Sequence, residues 1–169
     1  MTIFHTLSVD NVTTTISVPA INFDPGPEQW TIDQGVIAGA TGISADGVDS
    51  SFDQSTLDNE GVVFSAQSGG VVFNSSSSNG LIQNFGGAII SGFDDGIIVN
   101  GNGETISNSG EIFEINPLGI AGILFGIDSR NDQLTNQGNV TAKGGDRRYC
   151  GLAIRWRHHR QRQLRLDIW

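Results

Sequence analysis

The short phrase Ile106-Ser-Asn108-Ser-Gly110-Glu-Ile112 indicates the fold, because variants of it recur along the chain. In each copy an aliphatic residue is followed two positions later by Asn, two positions after that by Gly, and then by another aliphatic residue. The other copies are Leu57-Asp-Asn59-Glu-Gly61, Ile82-Gln-Asn84-Phe-Gly86 and Leu134-Thr-Asn136-Gln-Gly138. The asparagines are 25, 24 and 28 residues apart, and a fixed period of about 20 to 50 residues is typical of stacked repeats. We interpret Ile32-Asp-Gln34-Gly35 as a degraded fifth copy, 25 residues before Asn59.

A second element, in which Gly introduces aliphatic residues, lies between the copies. Its members are Gly42-Ile43, Gly70-Val-Val-Phe73, Gly96-Ile-Ile-Val99 and Gly122-Ile-Leu-Phe125. Each repeat therefore holds two or three short strands, and none has the ten or more periodic residues that a helix requires. The 23 glycines and the abundance of Ser, Thr, Asn and Asp also indicate a turn-rich β protein.

Strands of three to five residues cannot bury an apolar face within one repeat, but stacked coils can. We therefore predict an all-β, right-handed parallel β-helix, a solenoid of about four to five coils over residues 31–146. Residues 1–30 are predicted to form leading strands or a cap. The aliphatic positions would form an interior column of Leu57, Ile82, Ile106 and Leu134, with strands about 4.8 Å apart.

The four asparagines should occupy equivalent corners of the coils. We predict a structural ladder of Asn59, Asn84, Asn108 and Asn136, in which each amide bonds to the next. We also expect left-handed backbone conformations at these asparagines and positive φ at the glycines two positions later. Ligand binding by the same asparagines is the alternative, but a ladder explains their repetition directly.

At these positions the chain resembles the β-helical repeats of bacterial autotransporter passenger domains and haemagglutinin-like adhesins, in which such Asn-x-Gly phrases recur coil after coil. The resemblance covers about residues 31–146. It implies secretion, a long solenoid and exposure at a bacterial surface. It does not imply one activity, because the same scaffold carries polysaccharide lyases, epimerases and glycosidases.

Charge divides the chain at Asp146. Residues 1–146 contain 17 carboxylates against Arg130 and Lys143, a formal charge of −15. Such a body repels nucleic-acid phosphates and anionic lipid, so neither is an expected partner. The single cysteine, Cys150, lies beyond it, which leaves the body without disulfides or a thiolate metal site. We expect no membrane span, and no signal peptide is visible at Met1–Leu7.

Residues 147–169 form an Arg-rich tail with seven arginines and one carboxylate, predicted to be irregular. One hypothesis is a frameshift after Asp146, which translation of the gene in its other two frames would test. A second is a nucleic-acid-binding arm using Trp156 and Arg155, Arg157, Arg160, Arg162 and Arg165. A third is that the tail neutralises the acidic body and caps the open end with Leu164, Leu166 and Ile168.

Carboxylate groups are the candidate catalytic residues, because sugar-processing β-helices place acids on an exposed sheet. The candidates are Asp94, Asp95, Glu111 and Glu114; a further group is Asp46, Asp49 and Asp53. A glycosidase needs two carboxyl groups across one bond, whereas Gly-Phe-Asp94-Asp95-Gly is more simply a turn. We expect the only body histidine, His5, to be a surface or cap residue. Residues 100–106 are rich in Gly but lack the aspartates of a calcium-binding nonapeptide. No Cys or His residues have the spacing of a zinc site. We therefore expect no cofactor and no metal.

The sequence favours a noncatalytic structural or adhesive segment of a secreted or cell-surface bacterial repeat protein. Its expected partners are a host or cell-surface glycan or protein, and end-to-end self-association is a further expectation. The alternative is a polysaccharide-active β-helix enzyme, glycosidase or lyase-like, acting through surface carboxylates. A cleft formed by a long loop over one sheet would favour the enzyme, and an uninterrupted sheet face would favour the scaffold.

Overall fold

The structure is a computed structural model that describes residues 1–143, 152–154 and 165–168. Within those residues it contains strands and turns and no helix, and so no helix able to cross a membrane. The strands are β1 Ile3–Leu7, β2 Asn11–Thr13, β3 Ile21–Asn22, β4 Glu28–Ile32, β5 Ile37–Ala40, β6 Val48–Ser50, β7 Thr56–Asn59, β8 Val62–Ser65, β9 Val71–Phe73, β10 Leu81–Asn84, β11 Ile89–Gly92, β12 Asp95–Val99, β13 Thr105–Asn108, β14 Glu111–Glu114, β15 Ala121–Phe125, β16 Gln133–Asn136, β17 Asn139–Ala142, β18 Leu152–Ile154 and β19 Arg165–Ile168.

Every third strand joins the same sheet, so the chain winds as a coil with three strands per turn. Sheet A has the order β1-β4-β7-β10-β13-β16-β19, sheet B β2-β5-β8-β11-β14-β17, and sheet C β3-β6-β9-β12-β15-β18. Strands of successive turns pair in parallel, as in β10 with β7 and β13. The prediction of an all-β parallel solenoid of about four to five coils is confirmed, and its right-handedness stays a prediction.

The interior is filled by columns of aliphatic side chains, one layer per turn. In sheet A, Leu57, Ile82, Ile106 and Leu134 are in register and buried. Burial of each such side chain contributes about 1.5 to 3 kcal/mol. Sheets B and C supply the opposing columns, which are Ala38, Val63, Ile90 and Ile112, and Val48, Val71, Ile97 and Ile123.

The degraded fifth copy was aligned two residues out of register. Trp30 pairs with Leu57, and Ile32 pairs with Asn59, so Ile32 occupies the ladder position one turn earlier. Gln34 lies in the turn between β4 and β5. The asparagine ladder therefore begins at Asn59, and an apolar side chain lies beneath it.

Positive φ was expected at the four asparagines and at the glycines two positions later, and this expectation was wrong. All four ladder asparagines end a strand of sheet A, and none has positive φ; nor do the glycines two positions later. Positive φ instead recurs where sheet C leads back into sheet A, at Gln54, Asn79, Gly103 and Asn131. These four residues stack, because Gln54 N donates to Ser78 O and Asn79 N to Asn102 O, residues of the same corner one turn on.

Both ends of the predicted repeat domain are flanked by further strands. The strands β1 to β3, in the segment predicted to be leading strands or a cap, pair in parallel with β4 to β6. The strands β18 and β19, in the Arg-rich segment, pair with β15 and β16. The rest of that segment, with its frameshift, nucleic-acid and capping hypotheses, lies outside the described residues. The division into three domains stays a prediction.

Candidate functional sites

The asparagines form a continuous hydrogen-bonded column along the edge where sheet A turns into sheet B. Asn59 Nδ2 donates to Asn84 Oδ1 at 2.9 Å, Asn84 Nδ2 to Asn108 Oδ1 at 2.8 Å, and Asn108 Nδ2 to Asn136 Oδ1 at 2.7 Å. The first three side chains are buried. The ladder thus links four successive turns through side chains alone.

The amides of this column also bond backbone groups near the start of sheet B, in the next turn of the coil as well as in their own. Asn59 Nδ2 donates to Ile89 O at 3.0 Å, and its Oδ1 accepts from Gly61 N at 3.2 Å. Asn84 Nδ2 likewise donates to Glu111 O at 3.1 Å. Because buried polar groups are costly unless they are bonded, this saturation supports a structural role over ligand binding.

The structure separates both predicted carboxylate pairs between the surface and the interior. Asp94 is exposed in the turn before β12, whereas Asp95 is buried as the first residue of that strand. Glu111 is exposed on the outer face of β14, and Glu114 lies on its inner face, buried. Two carboxyl groups on opposite faces cannot act together on one glycosidic bond.

The buried members of these pairs hold backbone groups. Asp95 Oδ1 accepts a hydrogen bond from Ala121 N at 2.8 Å, and Glu114 Oε2 accepts one from Lys143 N at 2.8 Å. Each bond reaches into the next turn of the coil. Both acids therefore join adjacent turns of the coil.

The aspartates of the third group divide between two corners. Asp46 and Asp49 lie around the start of β6. Burial raises the pKa of Asp46, and the nearby carboxylate of Asp94 raises it further. Burial, together with the nearby carboxylate of Asp46, raises the pKa of Asp49 to about 6. Asn74 Nδ2 donates to Asp49 Oδ1, and Gly69 N to Asp46 Oδ1. Asp53 lies elsewhere and accepts from Ser78 Oγ at 2.6 Å. In the described residues, no group of three or more His, Cys, Asp or Glu side chains is arranged to hold a metal ion.

A column of buried polar residues, which sequence reasoning missed, runs along the corner where sheet C turns into sheet A. Its successive members, in register with one another, are Glu28, Ser55, Gly80, Glu104 and Asp132. The three acids and Ser55 are buried. Each of these residues precedes an inward-facing position of sheet A by two, and therefore lies on the same face of its strand. Sequence reasoning missed the column because its residue type differs at every turn and so forms no repeated phrase.

Glu104 is the centre of this column. Ser77 Oγ donates to its Oε1 at 2.9 Å, Gly80 N donates to its Oε2, and its own backbone N donates to Asp132 Oδ1 at 3.0 Å. A side chain at Gly80 would occupy the space of this carboxyl group. Burial raises the pKa of Glu104 to about 7, with smaller contributions from Asp132 and Asp53, so this acid titrates near neutrality.

The first turn contains a second polar group, built on His5. Its Nε2 lies 2.7 Å from Glu28 Oε1, and its ring stacks on Trp30 with centroids 4.5 Å apart. Glu28 Oε2 also accepts from Asp24 N at 2.6 Å. His5 therefore covers the sheet A column at the amino-terminal end of the solenoid, and it holds the buried acid Glu28 in place.

The outer face of sheet B carries hydrophobic side chains on four successive strands, β5, β8, β11 and β14. Ile37, Val62 and Ile89 form one half-buried column. In the parallel column, Phe64 and Phe113 are half-buried on either side of Ser91, and the Phe64 ring covers Gly39, where a side chain would meet it. This group of five hydrophobic side chains, which we call the sheet B stripe, is a flat apolar surface on an acidic protein.

Comparison of this chain with protein-family models, with curated proteins and with solved structures gave no match. The β-solenoid architecture is established by the strand pairing, and the relation to autotransporter passenger domains and haemagglutinin-like adhesins stays a resemblance.

Proposed function

We propose that this chain is a noncatalytic structural and adhesive segment of a secreted or cell-surface bacterial repeat protein, akin to autotransporter passenger domains and haemagglutinin-like adhesins. Its role is to present regular sheet faces on a stiff support. The asparagine ladder and the buried acids, each bonded to a neighbouring turn, support the stiffness.

The observation that carries the proposal is the shortness of the connections. No connection between successive strands from Ile3 to Ala142 exceeds seven residues. Active sites on regular scaffolds are usually built from long loops, and a flat sheet face with short turns offers surface instead of a cleft. The split of Asp94 from Asp95, and of Glu111 from Glu114, points the same way.

The sheet B stripe is the face that we assign to adhesion. Aromatic residues are enriched, and charged residues depleted, in the cores of protein interfaces, and the stripe combines Phe64 and Phe113 with three aliphatic side chains. A glycan or protein of a host or bacterial surface, with an apolar face of its own, is the partner of matching chemistry.

Binding of the purified full chain to arrayed surface glycans and to intact cells tests this function. We expect binding that Phe64→Ser and Phe113→Ser weaken and that Leu118→Ser, an exposed change outside the stripe, leaves unchanged. Circular dichroism of each variant shows whether the fold is retained. Equal binding by folded Phe64→Ser would contradict the assignment to the stripe.

The enzyme alternative is tested in parallel by incubating the chain with neutral and acidic polysaccharides and assaying new reducing ends and unsaturated products. We expect neither. Product formation that Asp94→Asn or Glu111→Gln abolishes would establish the polysaccharide-active reading in place of the adhesive one.

A further inference from the structure

The amino-terminal end of the solenoid has a surface composition unlike that of the rest of the molecule. Seven of the twelve exposed large hydrophobic side chains in the described residues lie in the first 18 positions: Met1, Ile3, Phe4, Val9, Val12, Ile16 and Val18. Residues 1–23 carry one carboxylate, Asp10, whereas residues 24–143 carry 15. Exposed apolar area is therefore concentrated where the acidic protein has least charge.

The same end presents open backbone edges. The strands β1, β2 and β3 are the terminal strands of sheets A, B and C. In β1, Ile3 N donates to Pro27 O and Leu7 O accepts from Asp33 N, both on the side of β4. Since backbone groups alternate sides along a parallel strand, the N–H and C=O groups of Phe4 and Thr6 point the other way. Such an edge is a template for another strand.

Large hydrophobic side chains of β1 itself are exposed at this end. Ile3 lies in register with Glu28, which is 3% exposed, whereas Ile3 itself is 53% exposed. Phe4, on the outer face of the same strand, is 71% exposed. A partner that covers this end must supply both a strand edge and an apolar surface.

From these observations we infer that two copies of this chain associate head to head through their amino-terminal turns, with β1 pairing antiparallel to β1 of the second copy. Two bodies of like charge repel at most approaches, and the end with a single carboxylate is where identical surfaces can meet. A two-fold contact closes on itself and gives a dimer, whereas a head-to-tail contact gives an open filament. The inference does not depend on the adhesive function.

Sedimentation velocity of the full chain over a wide range of concentration measures this association. We expect a reversible dimer, and a weak one, because the contact is only one solenoid wide. Phe4→Lys places a charge in the contact, and Thr6→Pro removes an edge N–H without removing a bond to β4. Each should weaken dimerisation by about tenfold or more, while Leu118→Lys, at an 89% exposed residue between β14 and β15, serves as the matched control.

A cysteine cross-link fixes the geometry. In a Cys150→Ser background, Thr6→Cys treated with a short thiol-to-thiol cross-linker should give a covalent dimer, and Leu118→Cys should not. A wild-type chain that is monomeric throughout, a series of species beyond the dimer, or equal loss of dimer with Leu118→Lys would each overturn the inference. Circular dichroism confirms that each variant is folded before it is scored.

Discussion

Asn84 is the residue on which the ladder depends most, because its amide bonds in both directions along the stack. Its Oδ1 accepts from Asn59 and its Nδ2 donates to Asn108 and to Glu111 O. The three repeated bonds stabilise the stack and also fix the register of the strands. A strand that slipped by one residue would direct its Asn side chain outward and break the ladder.

Asn84→Ala should lower the free energy of unfolding by about 2 to 4 kcal/mol, because it leaves buried donors and acceptors on both neighbouring turns unpaired. Urea titration followed by circular dichroism measures the loss. Asn102→Ala, at an exposed corner position, is the control and should change little. Equal stability of the two variants would show that the ladder is a consequence of the stack and does not stabilise it.

Glu104 makes the stability of the protein depend on pH near neutrality. Its pKa is raised in the folded state from 4.5 to about 7, so between these values the folded chain keeps a proton that the unfolded chain releases. The free energy of unfolding therefore contains a favourable contribution that is complete below about pH 4.5 and is lost as the pH rises through about 7. The raised pKa of Asp49, about 6, acts in the same direction.

Glu104→Gln should remove most of this dependence. At pH 8 the variant should be more stable than the wild type by about 1 to 2 kcal/mol, a value reduced for solvent screening, and the difference should shrink towards pH 4. Thermal unfolding at a series of pH values measures it, with Glu111→Gln, exposed on the outer face, as the control. A wild type whose stability increases from pH 5 to pH 8 would contradict this account.

Among the elements, the connection between sheets A and B leaves little space for side chains, because successive coils lie close together there. A Cβ at Gly61 would collide with the carbonyl oxygens of Val36 and Asp33, and one at Gly110 with those of Ala88 and Phe85. At Gly86 nothing lies within 4 Å, because two additional residues lengthen the connection after Asn84. The same sequence phrase is therefore under different constraints in different turns.

Gly61→Ala and Gly86→Ala change the glycine of the same sequence phrase in two connections of different length. Gly61→Ala should destabilise the protein by about 1 to 3 kcal/mol through overpacking against backbone. Gly86 has no positive φ and no neighbour that a side chain would meet. Gly86→Ala should therefore be neutral, or should stabilise the protein by about 0.4 to 1 kcal/mol because alanine lowers the conformational entropy of the unfolded chain. Denaturation midpoints of the two variants decide the matter, and a similar cost for both would indicate that conformational freedom, and not space, selects glycine here.

The strand β13 is central in sheet A, between β10 and β16. Ile106→Pro should remove a ladder bond and a buried side chain there and unfold the stack. Ile106→Val retains the bond and should cost only about 0.5 to 1.5 kcal/mol. Unchanged circular dichroism and melting in the proline variant would be incompatible with a parallel coil.

The repeated aliphatic and Asn positions were sufficient to predict the solenoid and the contents of its sheet A core, because these residues are in register in successive turns. It could not predict the column of Glu28, Ser55, Glu104 and Asp132, whose members differ at each turn and are related only by the coil. It also could not place the positive-φ corner, where Gln54 and Asn79 adopt the conformation that glycine adopts at Gly103. Because residues of different types adopt positive φ at this corner, no repeated residue marks it in the sequence.

At the scale of the whole molecule, stability is the sum of contacts between neighbouring turns, opposed by the repulsion of like charges. Residues 1–146 carry −15 in formal charge and the whole chain −9, and such self-repulsion destabilises a compact state. Salt shortens the range of this repulsion, to about 8 Å at physiological ionic strength and about 3 Å at 1 M.

Sodium chloride should therefore raise the unfolding temperature of the full chain, with most of the increase at low ionic strength, where repulsion is least screened. The increase should be smaller at pH 5 than at pH 8, because the raised pKa values of Asp49 and Glu104 leave the folded protein with fewer charges at the lower pH. Scanning calorimetry at both pH values measures it, and sucrose at matched osmolality controls for exclusion of solute from the surface. An unfolding temperature that falls with added salt at pH 8 would mean that attraction between the basic carboxyl-terminal segment and the acidic body outweighs repulsion within the body.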